Sequence, residues 1–140
     1  MTLGLANQIA DACQDWAEDR NLNVTIAILD EGAHLLHFRR MDGTAVGAGE
    51  LSIRKAKTSA IFPYPTHEWQ PLIYGEEGEE PILRGVEHMP TIAIFGGGVP
   101  IITADGHHIG AIGVGGASPK EETECGNAAI EAASDILRAH

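Results

Sequence analysis

A chain of 140 residues is long enough for one domain built round a single hydrophobic core. Its 44% apolar and 21% charged content is that of a soluble globular protein, and no apolar run approaches the ~20 residues a membrane span needs. The net charge of −11 excludes nucleic acid as an expected partner, because phosphate backbones select basic surfaces.

The first residues, Met1 to Leu5, carry neither a basic segment nor a cleavable apolar one, so a cytoplasmic location is expected. Cys13 and Cys125 both fall in helical patterns and are expected as two buried thiols of a reducing compartment.

Residues 3–20 predict an amphipathic helix whose apolar stripe is Ala6, Ile9, Ala10, Cys13, Trp16 and Ala17. Residues 23–30 are β-branched and apolar on both faces, as a buried strand would be. Asp30-Glu31-Gly32 turns the chain into a second strand over 33–40. Met41-Asp42-Gly43-Thr44 breaks the pattern, and a helix is predicted over 46–62.

That helix has two non-solvent stripes, Gly49, Ile53, Ala56 and Ala60 on one side and Leu51, Lys55, Thr58 and Phe62 on the other. Such a helix touches two things: its own sheet, and a ligand or a neighbouring subunit. Pro63-Tyr64-Pro65 ends it. A short helix over 66–73 and an acidic loop containing residues 75–81 follow. Residues 91–95 predict a short strand, Gly96-Gly97-Gly98 a turn, and 99–104 another strand. Asp105-Gly106 predicts a type I′ hairpin, with the return strand over 107–114. Ser118, Pro119 and Glu121 form the start signature of a last helix, on which Glu122, Cys125, Ala129, Ala132 and Ile136 make the inward stripe. The sum is one α+β domain over residues 1–140, a five-stranded antiparallel sheet packed by helices.

Candidate chemistry lies at a few places. Lys55 shares a stripe with apolar residues, so it either snorkels outward or is held in a partly apolar site with a charged partner. Arg40 and Asp42 stand at a strand end just before its helix and can bring a cation and a carboxylate to a pocket, or Asp42 can simply stabilise the turn at Gly43. Glu122 leads the inward stripe of the last helix, where the backbone dipole favours a carboxylate. Gly97, Gly98 and Gly113 lie in or beside strands, where glycine permits close approach of a ligand or of packed backbone.

The histidines (34, 37, 67, 88, 107, 108 and 140) form no chelating pair, and no close histidine–carboxylate or Cys-x-x-Cys cluster appears, so a dedicated metal site is not expected. A haem needs only one or two axial ligands, which this spacing does not exclude. No nucleophile motif is present.

The ordered blocks Asp30-x-Gly32, Arg40-Met41-Asp42-Gly43, Lys55-Ala56-x-Thr58, Gly97-Gly98-Val99-Pro100, Ile109 to Gly116 and Glu121-Glu122-x-x-Cys125 resemble the GlcG/HbpS-like haem-degrading family. The same domain occurs at the C-terminus of PduO-type cobalamin adenosyltransferases. The resemblance implies a profilin-like fold, assembly as a homo-oligomer from dimer to octamer, haem or iron binding in some members, and redox sensing or haem degradation in a few. This chain departs from the pattern at Ser59, where alanine is usual, at Gly115, where serine is common, and at Glu122, where aspartate is usual.

Three functions are consistent with these residues. The first is a small-ligand-binding protein, with haem or a related anionic molecule as ligand. Its pocket would involve Thr58, the glycines and His67 or His37, and Arg40 and Lys55 would pair the ligand's carboxylates. The second is a small enzyme of the tautomerase, hydrolase or decarboxylase type. There Asp42 or Glu122 would act as base and Lys55 or Arg40 would stabilise an oxyanion or enolate. The third is an assembly module without chemistry.

Overall fold

The computed structural model describes residues 1–139; His140 lies outside them. Four strands form one antiparallel sheet: β1 (Thr25–Asp30), β2 (Leu35–Arg40), β3 (Gly98–Ile102) and β4 (His108–Gly115), in the order β2-β1-β4-β3. The helices are α1 (Leu3–Glu18), α2 (Ala48–Ile61), α3 (Trp69–Tyr74), α4 (Pro119–Ala132) and α5 (Ser134–Arg138), with 3-10 turns at Thr66–Glu68 and Val86–His88.

Alternation along β1 divides the core. Ile26 and Ile28 point to the face covered by α1 and α4, where they meet Ile9, Cys13, Ile112, Val114, Cys125 and Ala129. Ala27 and Leu29 point to the opposite face and meet Ala56 and Ala60 of α2. Both faces of β1 are therefore buried, as its continuous apolar run predicts.

The expected fifth strand, 91–95, is absent; this segment is irregular, although Ile92, Ala93 and Ile94 are buried. Its backbone is satisfied by a side chain instead of a neighbouring strand. The Ala93 amide donates to Thr58 Oγ1 at 2.8 Å, and the Thr91 carbonyl lies 3.2 Å from the same hydroxyl. Ile92 and Ile94 pack with Trp69 and Ile73 in a small cluster of their own.

Three further expectations are corrected. In the β3–β4 turn only Gly106 adopts positive φ (+89°), because the Thr103 hydroxyl holds Asp105 and also accepts from the His107 amide at 3.0 Å. The last helix breaks at Ala133, so the buried residues shift to Ala133 and Leu137 and leave Ala132 and Ile136 outside. Cys13 and Cys125 are not thiols but a disulfide: α1 and α4 lie side by side with these residues on facing stripes, Cα atoms 5.1 Å apart. The expected cytoplasmic location, which leaned in part on free thiols, loses that support.

Candidate functional site

The site begins with how α2 sits on the sheet. A Cβ at Gly113 would lie 1.9 Å from the Ser52 carbonyl oxygen, and one at Gly98 would lie 2.5 Å from the Lys55 carbonyl oxygen. These glycines let the helix backbone rest directly on strands β3 and β4. The contact face of α2 is accordingly polar and small. Ser52, Lys55, Ala56, Thr58 and Ser59 are all buried, whereas Leu51 and Phe62, expected on one of the two non-solvent stripes, are 41% and 38% exposed.

Seated this close, Lys55 cannot reach water. Its ammonium, on a side chain only 3% exposed, donates to the Glu122 carboxylate and to the Val114 carbonyl at 3.2 Å. Glu122 arrives from the first turn of α4, which is fixed by the Ser118–Glu121 capping box. Burial pushes the Glu122 carboxyl above its ordinary value, while the hydrogen bond and charge of Lys55 pull the other way.

The Gly96–Gly98 loop closes over this pair. Gly97 adopts φ +122°, and a Cβ there would lie 3.0 Å from both Glu122 Oε2 and Lys55 Cδ. The peptide that joins Gly97 to Gly98 is anchored through both of its polar groups. The Gly97 carbonyl accepts from the Val114 amide at 2.9 Å, and the Gly98 amide donates to the Thr66 hydroxyl at 2.9 Å.

On the outer side of the same loop lies a cavity of about 350 Å³ bordered by His67, Gln70, Gly96, Pro119, Lys120, Thr123 and Glu124. His67 is exposed on its 3-10 turn and faces this space. The first turns of α4 thus carry Glu122 inward to Lys55 and Lys120 outward to the cavity.

Of the residues singled out from the sequence, the structure therefore gathers Lys55, Glu122, Gly97 and Gly98 at one point, with His67 in the adjoining cavity. Gly113 lies against Ser52, and Thr58 holds the 91–93 backbone. Arg40 and Asp42 are elsewhere: they line a different cavity of about 400 Å³ with Gln14 and Asn23, beyond the β2 edge of the sheet. No group of three or more histidine, cysteine or carboxylate side chains is placed to hold a metal ion among the described residues.

Two members of the site escaped the sequence. Thr66 follows Pro65 and reads as an ordinary helix start; only the fold brings it to Gly98. Lys120 stands next to Pro119 in a capped first turn, a place where a basic residue is uncommon because the dipole disfavours it. That was the available signal.

A family model described as haem-degrading protein, HbpS-like, matches residues 1–131. Protein GlcG of Escherichia coli K12 is 34% identical over 110 residues, which span 79% of this chain and 77% of GlcG. The crystal structure of Klebsiella pneumoniae protein ORFY superposes with a TM-score of 0.85 at 29% identity, covering 94% of this chain and 89% of that one. The crystal structure of a complex of PduOC with haem superposes with a TM-score of 0.83 at 25% identity, covering 94% of both chains.

Proposed function

This chain belongs to the HbpS-like family, and on that premise we propose that it is a small-ligand-binding protein whose ligand is haem or a related planar anion. The observation that carries the reading is that His67 and Lys120 border one cavity, which Gly96, Pro119 and Glu124 also line. The His67 imidazole would hold the iron and the Lys120 ammonium would pair with a propionate, which is a donor set that suits haem. A volume of about 350 Å³ is at the small end for ligand sites and would hold part of a macrocycle. Haem, when bound, supplies ligand exchange and electron transfer at iron. His67 would hold it and Lys120 would pair with its carboxylate, and the buried Lys55–Glu122 pair fixes the α4 turn that carries Lys120. The haem complex of the similar PduOC supports the choice of ligand.

The same reading includes a homo-oligomer. Leu35 and Phe38, on the edge strand β2, are 50% and 40% exposed, and such side chains commonly meet a partner subunit. Among the described residues no helix is long and apolar enough to cross a membrane.

The second reading, a small enzyme of the tautomerase, hydrolase or decarboxylase type, is favoured by one observation. Lys55 and Glu122 form a buried ion pair, and perturbed buried carboxyls cluster at functional sites. Titration of haem followed by absorbance separates the two. Saturable binding with a Soret shift, weakened in His67→Ala and in Lys120→Gln, is expected of the first. A featureless titration of the wild-type protein would refute it and turn attention to small carbonyl acids as substrates of Glu122.

A further inference from the structure

The Arg40-Met41-Asp42-Gly43 corner takes no part in the site above, and it borders the cavity of about 400 Å³ beyond β2. Arg40 and Asp42 both line this cavity, yet among the described residues they make no ion pair with each other. What keeps them apart is the corner itself: the Arg40 guanidinium donates to the Thr44 carbonyl at 2.9 Å, and the Thr44 hydroxyl donates to the Met41 carbonyl at 2.7 Å. Gly43, at φ +81°, lets the chain pass close to the Asn23 side chain.

The wall beside them is equally set. Arg39 donates to Gln14 and to Asp11, each at 2.8 Å, and to the His37 ring at 2.9 Å; Gln14 in turn donates to Glu18 at 2.8 Å. One cation and one carboxylate, both exposed, therefore line a shared space without pairing with each other, in a cavity where Gln14 and Arg39 are held by neighbouring side chains. Their natural complement is a molecule carrying the opposite pair of charges.

We propose that this cavity binds a small aminocarboxylate zwitterion, its carboxylate on Arg40 and its ammonium on Asp42. The presence of Asp42 and Glu18 disfavours simple anions, and Arg39 and Arg40 disfavour simple amines. The site is separate from the His67 cavity and does not depend on the haem reading.

The test is isothermal titration calorimetry of the whole chain with glycine, β-alanine and 4-aminobutyrate, a series that spans the separation of the two charges. Acetate and methylammonium serve as single-charge controls. Saturable binding is expected for at least one of the three at ~10 mM or below, with the controls at least about tenfold weaker. Arg40→Gln and Asp42→Asn should each weaken it about tenfold, with the haem titration unchanged. Should Arg40→Gln loosen the corner by losing Thr44, Asp42→Asn still carries the test, because it breaks no bond of the fold. No binding of any zwitterion, acetate binding as tightly as the zwitterions, or an unaffected Asp42→Asn would each overturn the proposal.

Discussion

The ammonium of Lys55 on α2 meets the carboxylate of Glu122 on α4, 67 positions away in sequence, and neither side chain is more than 4% exposed. Apart from Glu122, among the described residues the ammonium has only the Val114 carbonyl. Removing either charge therefore strands the other in a low-dielectric site, while removing both restores an apolar contact. Lys55→Met is expected to cost about 3–5 kcal/mol in urea unfolding, and Lys55→Met with Glu122→Leu to return to within about 1 kcal/mol of wild type. A double variant as unstable as the single one would mean the pair holds the fold together and is not spare for function. A stable double variant that has lost its ligand would place the pair in the site.

Burial also predicts how the pair responds to pH. The Glu122 carboxyl sits above its ordinary value of 4.5, with desolvation first among the causes; the nearby Glu121 charge adds to the rise and Lys55 opposes it. A carboxyl raised in the folded state holds its proton more tightly there than when unfolded. Its contribution to stability is full below pH 4.5 and is lost as the pH climbs through the raised value. Measured by urea unfolding between about pH 4 and pH 7, wild type should lose ground steadily against Glu122→Gln, which cannot titrate. Parallel profiles for the two proteins would show that the carboxyl is not raised.

The glycine seam gives a steric prediction with an internal control. At Gly113 a Cβ would meet the Ser52 carbonyl oxygen at 1.9 Å and the Ala56 amide nitrogen at 2.6 Å, both backbone atoms that only a shift of α2 can move. At Gly47, which precedes α2 with φ −70°, nothing lies within 4 Å. Gly113→Ala is expected to cost at least about 3 kcal/mol and Gly47→Ala less than about 0.5. Equal melting temperatures for the two variants would show that α2 does not rest on β4 as described.

Much of this fold could be read from periodicity because its elements are locally consistent. Ile26 to Leu29 are apolar on both faces, Ser118 and Glu121 form a capping box, and Pro63 and Pro65 stop α2. The misreadings share a cause. The 91–95 segment has strand composition, but its partner is the Thr58 hydroxyl on a helix, a contact that no pattern within the segment encodes. The sequence leaves Lys55 open between snorkelling outward and a buried partner and places Glu122 on an inward stripe, yet their pairing depends on α2 lying close enough to the sheet, which glycines far away in the chain decide. Arg40 and Asp42 were joined to Lys55 by nearness in sequence; the strand order puts them across the sheet. Neither predicted stripe of α2 includes Ser52 and Ser59, which are polar yet buried, because a face made for backbone contact selects small size over apolar character.

The disulfide between Cys13 and Cys125 yields a last prediction. It closes a span of 112 residues, from the third turn of α1 to the middle of α4, and both residues are fully buried between the two helices. A crosslink over so long a loop restricts the unfolded chain, and its loss is expected to cost about 2–5 kcal/mol. Because water and small thiols cannot reach the sulfurs in the closed fold, reduction must wait for α1 and α4 to part. Under native conditions a thiol reductant should therefore act slowly, and a little urea should speed it before global unfolding begins. Thiol counting on freshly unfolded protein gives the reading: no free thiols before reduction, two after, and a lower unfolding midpoint for the reduced form and for the Cys13→Ala, Cys125→Ala variant alike. Two free thiols at the outset, with a midpoint that reduction does not change, would return these residues to the pair of buried thiols expected from the sequence and restore the support for a reducing compartment.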